Sequence, residues 1–179
     1  MANNCFYDMR ITGKKKNVDE MIQIIQGVGE FKHDNIGRVF DCCIVDDVPL
    51  KSAEHDDIVS IDVCGDCAWS IGSSMLVNDS RNLLTETKRL NLVIEAYSSE
   101  PGIGFQEHIL VAFGAMYVDE CVDYSEYWVQ EFDTIEWFNE EYGTNFTEDM
   151  VNENGDVCIG GFGDDYGAYE DHMKYFEEV

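Results

Sequence analysis

The sequence predicts an α+β fold, an antiparallel sheet with helices on one face, followed by an acidic C-terminal αβ extension. Three observations predict it. Period-two and helical runs alternate over residues 4–97. Two apolar runs, 92–97 and 109–113, flank Ser98-Ser99-Glu100-Pro101-Gly102-Ile103-Gly104, which is turn chemistry and makes a central hairpin. The charge changes near residue 117: residues 1–116 hold 18 acids against 10 bases, and residues 117–179 hold 19 acids against Lys174 alone.

The elements follow in order. Residues 4–12 alternate, with Cys5, Tyr7, Met9 and Ile11 on one face and Phe6, Asp8 and Arg10 on the other, a half-buried strand that Gly13 ends. Asn17, with Glu20 three residues later, reads as the capping box of a helix that carries Val18, Met21, Ile22, Ile24 and Ile25 and stops at Gly27. Residues 38–45 read as a strand, and 46–57 as an irregular connection. Ile58 to Val63 alternates cleanly, and 68–75 is expected to form a short strand carrying Trp69. Residues 78–90 read as a second helix, capped by Asp79 or Ser80, with Lys88 and Arg89 in its last turn. In the hairpin, Pro101 pre-sets φ and Gly102 supplies the positive φ of a type II turn. Residues 117–122 extend the meander. Ile135 to Tyr142 reads as a helix capped by Asp133 or Thr134 and ended by Gly143. Residues 158–167 are glycine-rich and read as a loop, and 168–178 as a last short helix.

This β-α-β…β-α-β order is that of a ferredoxin-like unit. Asn3-Asn4-Cys5 followed by Ile11-Thr12-Gly13 resembles the opening of the YubB-type, or Api92-like, ferredoxin-like family. The segment Tyr97 to Phe105 resembles that family's Tyr-x-x-Glu-x-Gly-x-x-Phe stretch, through Tyr97, Glu100, Gly102 and Phe105, and Trp69 matches its Trp-bearing strand. The family's Trp near the first Asn and its Trp-Gly-Thr-Lys-Trp stretch have no counterpart. The resemblance spans residues 3–120, implies a ferredoxin-like domain over 1–120 and places the protein among phages, plasmids and other mobile elements; it does not account for residues 121–179, which are expected to form an acidic, aromatic-rich extension packed on that domain. It implies no enzyme activity.

The chain has 179 residues, 45% of them apolar, and a formal net charge of −26. That composition can bury a core, yet the charge opposes compaction. Direct nucleic-acid binding needs a cationic footprint, which is missing. The seven cysteines are odd in number and follow no signal-peptide pattern, so a disulfide framework is not expected, and the expected location is the cytoplasm of a bacterial host. Cys64-Gly65-Asp66-Cys67 has metal-knuckle or redox spacing but no second pair. The glycine-rich run 160–163 is followed by acids, which is wrong for phosphate. His33, His55, His108 and His172 lie in no nucleophile motif. No catalytic residue, metal or cofactor is expected.

What remains is the acidic segment. Asp119, Glu120, Asp123, Glu126, Glu131, Asp133, Glu136, Glu140 and Glu141 are the expected partner-binding acids, and Tyr124, Tyr127, Trp128 and Trp137 the aromatic anchors. Carboxylates on an ordered scaffold can stand in for phosphates, so the expected activity is a DNA mimic that inhibits a basic nucleic-acid enzyme, first a type II CRISPR effector nuclease (an anti-CRISPR protein) and alternatively a restriction enzyme. The competing expectation is a ferredoxin-like binding or assembly module that pairs a sheet edge into a homodimer.

Overall fold

The computed structural model describes residues 4–32, 36–45, 50–51, 57–76, 81–128, 134–152 and 155–177. Its strands are β1 (Asn4–Lys14), β2 (Cys43–Ile44), β3 (Leu50–Lys51), β4 (Ile58–Ala68), β5 (Val93–Glu100), β6 (Phe105–Ala112), β7 (Ala115–Trp128) and β8 (Asp156–Gly160). Its helices are α1 (Lys15–Gln26), α2 (Leu83–Leu90), α3 (Ile135–Tyr142) and α4 (Met173–Glu177). The fold is α+β, and the sheet has eight strands in the order β2-β4-β1-β5-β6-β7-β8, with β3 also on β4 and every pair antiparallel.

Two antiparallel steps make a parallel pair. So β1 and β2, joined through α1, are parallel across β4, and β4 and β5, joined through α2, are parallel across β1. Two split β-α-β units therefore interleave. Both helices cover one face of the sheet. Cys5, Tyr7, Met9 and Ile11 of β1 pack there with Val59, Ile61, Val63, Ile94, Ala96, Ile109 and Val111, beneath Val18, Met21, Ile22, Ile24 and Ile25 of α1 and Leu83 and Leu90 of α2. The alternation read in β1 and β4 is the alternation of this core.

Several boundaries differ from expectation. Helix α1 begins at Lys15, and Asn17 is inside it, with its amide donating to the Leu90 carbonyl at 2.6 Å. That bond ties α1 to the end of α2 instead of capping. Helix α2 begins at Leu83, because Asn82 and Thr85 form a reciprocal capping box; Asp79 and Ser80 lie outside the described residues. The expected strand 68–75 does not form: β4 runs unbroken through Cys64-Gly65-Asp66-Cys67 to Ala68, and a turn of π-helix covers Gly72–Leu76. The strand expected over 38–45 reduces to a bridge at Val39 and the two residues of β2. In the central hairpin the positive φ (76°) belongs to Gly104, and a 3-10 turn over Pro101–Ile103 replaces the type II turn. Part of the glycine-rich loop is strand β8, paired with Tyr124 to Trp128. The last helix is only Met173–Glu177.

The opposite face of the sheet is closed by the C-terminal segment 162–177, which crosses it as a strap. Val93, Leu110 and Ala112 pack there against Tyr175, with Phe113 and Phe176 beside them. A third, smaller core joins Phe138 of α3, Phe146 and Val157 of β8, with Tyr127 against them. Three buried side chains contribute roughly 1.5–3 kcal/mol each, too little to order such a segment alone. Strand β7 supplies the rest, since it runs from the sheet into this small core and crosses the expected boundary at residue 120 without a break.

Candidate functional site

Strand β7 is used by two different partners. Its first half pairs with β6, from Ala112↔Ala115 to Phe105↔Asp123, with a bulge at Leu110/Val111. Its second half pairs with β8, from Tyr124↔Gly160 to Trp128↔Asp156. Among the described residues no strand pairs with the remaining edge of 115–123.

Alternation sorts the expected acids onto two faces. Asp119 and Asp123 lie opposite Ile109 and Phe105, on the helix face, and Glu120 lies opposite His108, on the strap face, as does Glu126 further along. All four are exposed. Helix α3 carries the next group. Thr134 caps it by accepting from the Trp137 amide at 3.1 Å, and Gly143 ends it with φ 66°. Phe138 points inward, while Glu136, Trp137, Glu140 and Glu141 are exposed. Glu136 stands at the N-terminal end, where the macrodipole favours an acid; Glu140 and Glu141 stand at the other end, where it does not. None of these seven carboxylates forms an ion pair among the described residues. Glu131 and Asp133 lie outside the described residues.

The aromatic candidates divide. Trp137 is exposed and sets its edge on exposed Tyr142, ring centroids 6.4 Å apart. Tyr127 packs inward, its ring against Phe138 and Phe146. Tyr124 is half-buried with its hydroxyl 3.5 Å from the Cys158 sulfur, and burial pushes the phenol up. Trp128 closes the backbone pairing with Asp156.

The cysteine pair is separated by its own strand. Cys64 and Cys67 are three residues apart in continuous β4, so their side chains leave on opposite faces and cannot share a metal or close a disulfide. Cys67 is buried against Cys5 on the helix face, and Cys64 lies opposite Cys43 and Asp8. No group of three His, Cys, Asp or Glu side chains among the described residues is arranged to hold a metal ion.

Sequence reasoning missed the polar network beneath the strap. Glu95 is fully buried on β5. Its Oε1 lies 2.8 Å from His108 Nε2, and its Oε2 lies 2.9 Å from His172 Nε2 and accepts from the Glu170 amide at 2.6 Å. His172 Nδ1 continues to the Thr12 hydroxyl at 2.8 Å, and that hydroxyl to Ser60 at 2.7 Å. Burial pushes the Glu95 carboxyl up, but the bonds from His108, His172 and the Glu170 amide outweigh it and hold it down at about 2. Tyr97 stacks on His108 at 4.1 Å, and Arg10, paired with Asp62 at 2.8 Å, lies over the Tyr169 ring. Hydroxyl, imidazole and carboxylate stand in the order of a catalytic triad, yet Thr12 and Glu95 are sealed under the strap and His172, part of the strap, is buried against them. The network holds the strap to the sheet. Its one signal in the sequence is a carboxylate in the middle of the apolar run 92–97.

Comparison with protein-family models, with curated proteins and with solved structures finds no match. No helix among the described residues is long and apolar enough to cross a membrane.

Proposed function

We propose that the protein is a non-enzymatic acidic inhibitor that occupies the DNA-binding surface of a basic defence enzyme, first of all a type II CRISPR effector nuclease, acting in a bacterial cytoplasm as the product of a mobile element. The observation that carries this reading is the set of exposed carboxylates on β7 and α3, which form no ion pair among the described residues. Unpaired like charges destabilise the compact state. A basic groove relieves that repulsion on binding and gains steered association, and the guide–target channel of such a nuclease is strongly basic. The strand order β2-β4-β1-β5, with α1 and α2 on one face, supports a ferredoxin-like reading of the first part of the chain, extended by β6, β7 and β8.

The edge of β7 over 115–122, which no described strand pairs with, bears on the assembly alternative. Two copies joined there would set Asp119, Glu120 and Asp123 close to one another, and like charges across a strand pair are destabilising. A homodimer through this edge is therefore disfavoured against a basic partner.

The test is cleavage of target DNA by a type II CRISPR nuclease and its guide, with and without the protein in molar excess, at low and high salt. Inhibition that fades as salt rises is the expected result. Full cleavage throughout would eliminate this target, and the same assay with a restriction endonuclease would then decide whether the mimic reading survives.

A further inference from the structure

Glu107 is a buried carboxylate without a counter-ion among the described residues. It lies on β6 on the helix face and is only 7% exposed. Its Oε2 accepts from the Gly72 amide and the Ser98 hydroxyl, both at 3.0 Å. Its Oε1 takes no hydrogen bond among the described residues and is not among their sealed polar atoms, and no Lys, Arg or His of those residues pairs with the group. A carboxylate taken out of water without a cation is costly. Here it lines a crevice of about 320 Å³.

The walls of that crevice are apolar and aromatic. Trp69 and Phe105 line it with Ile103, Ser73 and Cys121. Trp69 is 40% exposed and held at φ 66°, a conformation costly for a bulky side chain. The Ser70 amide donates to the Ala68 carbonyl at 2.9 Å, which closes a tight turn around Trp69. Backbone strain of this kind collects at binding sites. Cys121 lies directly opposite Glu107, and Asp119 and Asp123 flank it on the same face. The crevice thus opens beside the acidic edge of β7.

We propose that this crevice takes the guanidinium of an arginine side chain presented by a protein partner, an inference that rests on the reading of a basic partner above. Glu107 Oε1 supplies the charged acceptor, and the rings of Trp69 and Phe105 supply the faces. Arginine fits better than lysine because its planar cation stacks on rings and sheds water more readily than an ammonium. The Trp69 ring already accepts one guanidinium, that of Arg38, whose Cζ is 4.7 Å from its centroid.

The test is a titration of the whole protein with N-acetyl-arginine methylamide, read at the Trp69 indole in proton–nitrogen correlation spectra and assigned through Trp69→Phe. The neutral isostere N-acetyl-citrulline methylamide and the lysine analogue are the controls. A saturable, millimolar shift with arginine, weaker with lysine and absent with citrulline, is expected. Glu107→Gln should abolish it with unchanged thermal unfolding, because the Gln carbonyl can accept the same two bonds. Cys121→Arg, which places a guanidinium opposite Glu107, should block it by filling the site. No shift, an equal shift with citrulline, or undiminished binding by Glu107→Gln would overturn the proposal. Nuclease inhibition without arginine binding would overturn this inference alone, and arginine binding without inhibition would overturn only the choice of target.

Discussion

His172 Nε2 stands 2.9 Å from Glu95 Oε2, a contact between residues 77 positions apart that fastens the C-terminal strap to the middle of the sheet. Because Thr12 and His108 complete the same network, the strap is held by polar bonds at its centre and by apolar contacts of Tyr175 and Phe176 at its end. Glu95→Ala leaves two imidazoles and the Glu170 amide without their acceptor. It should cost about 3 kcal/mol in urea unfolding, with faster amide exchange over 168–176 than over β1. Uniform protection in both regions would mean that the strap does not depend on Glu95.

The same carboxylate sets a pH dependence. Its folded value, about 2, lies below its ordinary 4.5. It therefore contributes stability that is fully present above pH 4.5 and is lost as pH falls from there towards 2. Protonation of the many other acids relieves repulsion over the same range, so the wild-type curve alone is not diagnostic. The measurement is the stability difference between wild type and Glu95→Gln against pH. It should shrink below about pH 4. A difference that stays flat to pH 2.5 or so would refute the linkage.

Why the sheet was legible and the network was not follows from the range of the interactions. Cys5, Tyr7, Met9 and Ile11 announce β1, and Val59, Ile61 and Val63 announce β4, because a half-buried strand writes its two faces into neighbouring residues. Gly27 and Gly143 mark helix ends for an equally local reason, their positive φ. Strand β8 was hidden because glycines dominate its surroundings, and its partner, the second half of β7, lies 28 or more residues upstream in the chain. Thr12, the hairpin pair Glu95 and His108, and His172 meet only after three distant segments have folded together. Glu107 shares the parity of Phe105, Ile109 and Val111, but it sits in the polar run 106–108, which masks the alternation, and the turn at Gly72 covers it.

Gly65 lets the chain at Asp41 approach β4. A Cβ there would meet the Asp41 carbonyl oxygen at 2.1 Å, the same oxygen that accepts from the Tyr7 hydroxyl at 2.9 Å. Gly65→Ala should therefore destabilise by about 2 kcal/mol, as overpacking against backbone does. Thermal unfolding with and without a chelator checks it. The loss should be the same in both, since Cys64 and Cys67 face opposite sides of the strand. A loss that appears only without the chelator would restore the metal reading of that pair.

The acids of β7 and α3 give the prediction that separates function from solvation. Glu136 and Glu140 are one helical turn apart, and Glu140 and Glu141 oppose the macrodipole, with no base in the helix to offset them. Glu140→Gln with Glu141→Gln should thus raise stability, by about 0.5 kcal/mol. Adding Asp119→Asn and Asp123→Asn removes the exposed acids beside the Glu107 crevice without touching a buried group. If carboxylates stand in for phosphates, the fourfold variant should lose inhibition by about tenfold or more, and lose much of the salt dependence with it. The two effects have opposite signs, so unfolding cannot mimic the result. A variant that is more stable and inhibits as well as wild type would show that these acids are only a solvated face.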